Sequence, residues 1–150
     1  MKKELLYLRL IARSNQQGIL TNDLGLTVTE ITDGSAMGTI RFAANSINPR
    51  NIVHGGALFA VMDQLCGLAA CTTGFGTVTI NGGIDYLRPT VPGKELTCTA
   101  TVIKPGRRFT SCEAVIMDPE SGKLIAKASF TYCMMEELKP REEKSSEQKG

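Results

Sequence analysis

Residues 3 to 14 place Leu5, Leu6, Leu8, Leu10 and Ile11 in a rough helical stripe, and Ser14-Asn-Gln-Gln-Gly18 supplies its stop. The period then shortens. Leu24 to Ile31, with β-branched Thr27, Val28, Thr29 and Ile31, reads as a strand, and Asp33-Gly34 turns it into a second strand, Ala36 to Phe42. Asn45-Ser-Ile-Asn-Pro-Arg-Asn51 is a loop by composition. From Gly56 to about Thr72 the positions Leu58, Val61, Leu65, Leu68 and Ala69 return to helical spacing with small residues between them, so this helix is expected to be buried nearly all round. Strand-like segments follow over about 77–87, 94–104, 108–117 and 123–134, separated by Val91-Pro-Gly93, Pro105-Gly106 and Asp118-Pro-Glu-Ser-Gly122. Such short turns predict an antiparallel sheet. The pattern therefore predicts an α+β domain over 19–135, a long central helix cradled by a curved antiparallel sheet, preceded by an N-terminal helix in 1–18. Residues 136–150 have almost no apolar content and are expected to form a disordered polar tail.

Composition narrows the function classes. A chain of 150 residues is one ordinary domain, and its net charge of +2 argues against a dedicated nucleic-acid binder. Glu4 and Arg9 break the N-terminal apolar run, which excludes a signal peptide, and the apolar stretch near 55–71 is too short for a bilayer span and carries Asp63. A cytoplasmic protein without membrane attachment is expected. Cys66, Cys71, Cys98, Cys112 and Cys133 are odd in number, lack CxxC spacing and sit among small or apolar residues, which predicts buried free thiols rather than disulfides or a metal site.

The chemistry concentrates in Asn51-Ile-Val-His-Gly-Gly-Ala57 and the helix that follows. This stretch holds the only histidine, His54, two adjacent glycines, and one acid, Asp63, inside an apolar helix. A carboxylate there is a poor helix former and costly to desolvate unless partnered. A catalytic role would supply a reason for it; the alternative is a structural acid hydrogen-bonded across a subunit contact.

Asn48 six residues before His54, the His54-Gly55-Gly56 triplet, Asp63 nine residues after the histidine and the Tyr86-Leu-Arg-Pro89 strand end resemble the hot-dog fold acyl-CoA thioesterases of the phenylacetate-degradation type, over about residues 20 to 135. The resemblance implies a hot-dog homodimer, often paired into a tetramer, that hydrolyses an acyl-CoA or acyl-carrier-protein thioester without metal or organic cofactor. It implies that the Gly55 amide polarises the thioester carbonyl, with Gly56 beside it, and that Asp63 attacks the carbonyl or activates water. Free amides at a helix N-terminus suit the first task, since they lack intrahelical partners and lie at the positive end of the helix dipole. His54 is either a general base or the group that fixes the loop presenting Gly55. Asn48 could hold a water or the carbonyl, and Thr79 stands where relatives carry a water-positioning hydroxyl. Four residues after the acid, where another branch of the family has Thr or Ser, this chain has Gly67. Arg88 and the basic turn with Lys104, Arg107 and Arg108 could take the phosphates of coenzyme A. Leu58, Phe59 and Met62 fit an acyl pocket or the core equally well.

Spacing adds one inference. Asp63 lies seven residues beyond Gly56, about 10 Å along a helix axis. One carbonyl carbon can hardly reach both from the same chain, so each site should take Gly55 from one subunit and Asp63 from its twofold partner. Two other readings remain open: a hydroxyacyl-thioester dehydratase or hydratase, and a non-catalytic acyl-CoA sensor.

Overall fold

Ten of the 17 residues of the central helix, Gly55–Cys71, are buried, including Val61, Met62, Leu65, Ala69 and Ala70, so nearly every side of it meets protein. The computed structural model describes residues 2–138. Its elements are α1 (Lys3–Ser14), α2 (Leu20–Leu24), β1 (Leu26–Thr32), β2 (Ser35–Arg41), α3 (Gly55–Cys71), β3 (Phe75–Tyr86), β4 (Glu95–Lys104), β5 (Phe109–Met117) and β6 (Leu124–Glu137). The strands form one antiparallel sheet in the order β1-β2-β4-β5-β6-β3. The expected α+β architecture is the observed one. Alternate residues of β4, β5 and β6, among them Leu96, Cys98, Ala100, Cys112, Ala114, Ile116, Ala126, Ala128 and Phe130, are buried with α3 in one core.

Two boundaries differ from the sequence expectation. Leu24, expected to open a strand, instead ends the short helix α2, because Gly25 follows it in the left-handed region at φ 116°. A Cβ at Gly25 would sit 1.8 Å from the Arg41 carbonyl oxygen, so only glycine lets β1 start against β2 there. At the other end, β6 runs through Glu137, into the segment expected to be tail, and residues 139–150 of that segment lie outside the described residues.

Helix α1 is docked on the hairpin. Asn15 clamps the Val28 backbone, accepting from its N–H at 2.8 Å and donating to its carbonyl at 2.9 Å. The buried Tyr7 hydroxyl donates to the Asp33 carboxylate, and burial with that carboxylate pushes its pKa up to about 12. The Thr72 hydroxyl accepts from Gly34 N–H at 2.8 Å and donates to the Ala69 carbonyl at 2.7 Å, which fastens the C-terminal end of α3 to the same turn. The five cysteines are free thiols, four buried and Cys133 half-buried. Desolvation pushes Cys98 and Cys112 up to about 12, so these remain neutral packing groups. No helix among the described residues is long and apolar enough to cross a membrane.

Strand β3 is an edge. Among the described residues it pairs only with β6, and Val78 and Ile80 are each 53 % exposed, so its outer rim of backbone N–H and C=O groups has no strand neighbour among them.

Candidate active site

The first half of the site forms where the 45–53 loop enters α3. Asn48 closes a turn by accepting from Arg50 N–H at 2.9 Å, and Asn51 takes the left-handed conformation at φ 61° that asparagine tolerates. His54 N–H then bonds the Ser46 carbonyl at 2.8 Å and Val53 N–H the Thr90 carbonyl at 2.9 Å. These bonds hold the loop in one shape before the helix begins. His54 is the N-cap: its Nδ1 accepts from Gly56 N–H at 2.8 Å, so Nε2 carries the ring proton. The Gly56 amide is thereby engaged. Among the described residues the Gly55 N–H has no partner, while its carbonyl accepts from the Tyr86 hydroxyl at 2.8 Å. Gly55 lines a cleft of about 290 Å³ with Asn48, Ile52, Leu58, Tyr86 and Leu87.

The second half lies two turns along the helix. Asp63 Oδ1 accepts from Thr79 at 2.8 Å and from Tyr132 at 2.8 Å, and the Tyr132 hydroxyl is also 2.7 Å from the Asp63 carbonyl oxygen. Thr79 and Tyr132 face each other on β3 and β6, and the register shift directly after Thr79 breaks the ladder there. Tyr132 is 2 % exposed. Burial first, with the Cys66 thiol and the Asp63 carboxylate nearby, pushes its phenol well above the ordinary tyrosine value, so it stays a donor. Asp63 opens into a hollow of about 230 Å³ lined by Gln64, Gly67, Cys71, Thr77, Thr79 and Tyr132. The place over Gly67 is flanked by the Tyr132 ring and the Thr77 hydroxyl, 3.5 and 3.6 Å from where a Cβ would stand.

No residue lines both the Gly55 cleft and the Asp63 hollow. Within one chain the sequence-derived candidates thus fall into two groups: Asn48, His54, Gly55, Gly56 and Arg88 in one, Asp63 and Thr79 in the other. Arg88 donates to the Leu124 carbonyl at 2.8 Å at the rim of the first. Arg107 lines a third hollow of about 590 Å³ with Thr73, Phe75, Pro105 and Met134, at the end of α3 remote from Gly55, and the Arg108 guanidinium lies 5.3 Å from the centre of the Phe109 ring. Lys104, in the same turn, ends β4. Leu58 lines the Gly55 cleft, Phe59 packs edge-to-face on Phe130 and Met62 is core.

Tyr132 and Tyr86 were not among the sequence candidates. A signal for Tyr132 existed: β6 alternates Ala126, Ala128, Phe130, Tyr132 on its inward face, and an inward hydroxyl needs a polar partner, which the apolar helix offers only at Asp63 and its neighbour Gln64.

Residues 50–125 match the model of the thioesterase superfamily, which spans the helix, Asp63 and most of the sheet, and the chain belongs to that superfamily of hot-dog hydrolases acting on thioester bonds. It is 31 % identical over 102 residues to the acyl-coenzyme A thioesterase PaaI of Escherichia coli K12, covering 65 % of this chain and 73 % of that one. The structure of E. coli PaaI superposes with a TM-score of 0.80 at 24 % identity, covering 91 % of this chain and 96 % of PaaI. A Streptococcus mutans protein crystallised bound to acetyl CoA is 26 % identical, with a TM-score of 0.73 over 77 % of this chain and 92 % of that one. A thioesterase protein from Streptococcus pneumoniae, solved with an aspartate and separately with a threonine changed to alanine, is 27 % identical with a TM-score of 0.69 over 73 % of this chain and about nine-tenths of that one.

Proposed function

We propose that the protein is an acyl-CoA thioesterase whose reaction centre is assembled from two copies of the chain. The observation that carries this reading is the separation of the free Gly55 amide and Asp63 into clefts with no residue in common, the first lined by Tyr86 at one end of the edge strand β3 and the second by Thr77 and Thr79 nearer its other end. Antiparallel pairing of β3 with its copy satisfies the bare edge and covers Val78 and Ile80. It also lays the Phe75 end of one chain beside the Tyr86 end of the other, so that Asp63 and Thr79 of one subunit face Gly55 and Asn48 of its partner. The aspartate and threonine altered in the S. pneumoniae protein are sixteen residues apart, as Asp63 and Thr79 are here.

In this arrangement the Gly55 N–H binds the thioester oxygen and stabilises the charge that grows on it in the tetrahedral state; one such donor is worth roughly 3–4 kcal/mol of barrier. The Asp63 carboxylate takes a proton from water as the water oxygen attacks the carbonyl carbon. Collapse expels the coenzyme A thiolate, which takes that proton from the Asp63 carboxyl and restores the carboxylate. Attack by the carboxylate itself, followed by hydrolysis of the anhydride, uses the same two groups. His54 orients the helix entrance, Asn48 offers its amide N–H to the substrate, and the Arg88 rim with the partner's basic turn at Lys104, Arg107 and Arg108 receives the phosphates of coenzyme A. A dimer or dimer of dimers follows.

Thiol release from straight-chain, branched and aryl acyl-CoA thioesters tests the activity. We expect release that Asp63→Asn cuts to a small residual rate, together with partial recovery when a nearly inactive Gly55→Val chain is mixed with Asp63→Asn, because each hybrid dimer contains one intact site. No recovery after demonstrated subunit exchange would overturn the shared site. Tight acyl-CoA binding without turnover would point to a sensor, and hydration of a 2-enoyl-CoA without thiol release to a hydratase.

A further inference from the structure

We infer that Tyr132 is a positioning residue for the reaction, pinning Oδ1 of Asp63 together with Thr79 so that Oδ2 is the oxygen that meets the partner's substrate. The inference rests on the thioesterase reading of the same site. Its geometric basis is a chelate: one phenol oxygen lies 2.7 Å from the Asp63 carbonyl oxygen and 2.8 Å from its Oδ1. A tyrosine serving only to anchor β6 to the helix would be satisfied by the carbonyl alone. Reaching the carboxylate as well fixes the side chain relative to its own backbone, so one rotamer of Asp63 is selected.

Thr79 donates to that same Oδ1 from the opposite strand, and among the described residues Oδ2 has no partner. Two donors on one carboxylate oxygen leave the other with its lone pairs free. Gly67, one turn beyond Asp63, borders this contact: a Cβ there would stand in ordinary van der Waals contact with the Tyr132 ring, 3.5 Å from Cε1. Both donors are themselves held by pairing of β3 with β6, so the carboxylate is oriented by the sheet and not by its helix alone.

Tyr132→Phe removes only the hydroxyl and keeps the ring on Phe130. In the intact oligomer, with the best acyl-CoA substrate of the panel, kcat is expected to fall about 10- to 100-fold, with KM and inhibition by free coenzyme A within about twofold of wild type. Tyr132→Phe combined with Thr79→Val is expected to lose more than the product of the single losses, because either donor alone holds Oδ1 in part. In the Asp63→Asn background, Tyr132→Phe is expected to change the residual rate by less than twofold. Wild-type kcat in Tyr132→Phe, an equal loss in the Asp63→Asn background, or a chain that no longer folds would overturn the inference, the last because the phenol would then be a structural post. Those results leave the thioesterase reading standing. Absence of Asp63-dependent thiol release from the wild type would instead remove that reading, and this one with it.

Discussion

His54 divides two chemistries that look alike in a sequence. A lone histidine before a glycine pair reads as a proton carrier or as scaffold, and the bond from the Gly56 N–H to its Nδ1, which caps α3, supports the scaffold reading. Asparagine is a good helix cap and a poor proton carrier. His54→Asn is therefore expected to keep the melting temperature within about 2 °C of wild type and to retain kcat within about tenfold. His54→Ala loses the cap, worth about 1 kcal/mol, which lowers the melting temperature of a domain this size by about 2–4 °C. Thermal unfolding beside steady-state kinetics checks both. An asparagine variant that melts normally yet loses activity as completely as Asp63→Asn would make the ring a proton carrier. The identities of His54, Gly55 and Asp63 were legible because each sits where its residue type is out of place. The free state of the Gly55 amide was not, since it depends on which N–H the histidine engages.

Among the elements, β3 carries the most constraint per residue. It contributes Thr79 to the acid, Tyr86 to the Gly55 carbonyl and its free rim to the proposed partner, and it also has to lie close to the core. Gly82 makes that approach possible. A Cβ there would stand 2.5 Å from two ring atoms of Phe130 and 3.0 Å from Phe59 Cζ, and these rings form an edge-to-face pair with centroids 5.0 Å apart. Phe130 is 2 % exposed and has nowhere to move. Gly82→Ala is expected to cost about 1–3 kcal/mol of overpacking, read as a lower denaturant midpoint at unchanged slope. A midpoint equal to that of wild type would show that the strand can draw back from the rings. Alternation in the sequence marks β4 to β6 well, because one face of each is buried. It marks β3 poorly, because an edge strand with a bulge after Thr79 and glycines at 82 and 83 has no clean two-residue period.

Across the whole molecule, the loop from β3 to β4, whose residues Leu87 to Thr90 line the Gly55 cleft, is tied down from a distance. Lys94, at the end of the loop from β3 to β4, bonds Asp118 in the turn from β5 to β6 at 2.6 Å, with the Asp118 side chain 4 % exposed. The same carboxylate accepts from Glu120 N–H at 3.0 Å. The Lys94 bond foremost, aided by that amide, holds the Asp118 carboxyl below its ordinary 3.8, and the Asp118 bond holds the Lys94 ammonium above its ordinary 10.5. A depressed carboxylate pKa stabilises the fold above its unfolded value and ceases to do so as pH falls through the folded value. The raised lysine acts in the opposite sense: its contribution is complete below 10.5 and is lost only as pH rises through its higher folded value. Both charges are therefore present at neutral pH, and the acid loss begins below about pH 4. Asp118→Asn is expected to melt lower than wild type at pH 7, with the difference shrinking at pH 3 as the wild-type carboxyl protonates. A difference of equal size at both pH values would refute the charge pair as its cause.

The sequence alone determined the central helix and the strands with an inward face, because periodicity is a local signal that survives without neighbours, and the resemblance carried by Asn48, His54-Gly55-Gly56 and Asp63 pointed to the hot-dog thioesterases and to the candidate site residues. The distance between the halves was also readable, as helix rise is the same in every protein. Only the tertiary structure decided which groups are free. It joined Tyr132 to Asp63 across 69 residues, gave the Gly56 amide to His54 and left that of Gly55 open, and set β3 at an unpaired rim. Each of these is a pairing between distant segments, and hydrogen bonds of that kind are fixed by packing rather than by the order of residues along the chain.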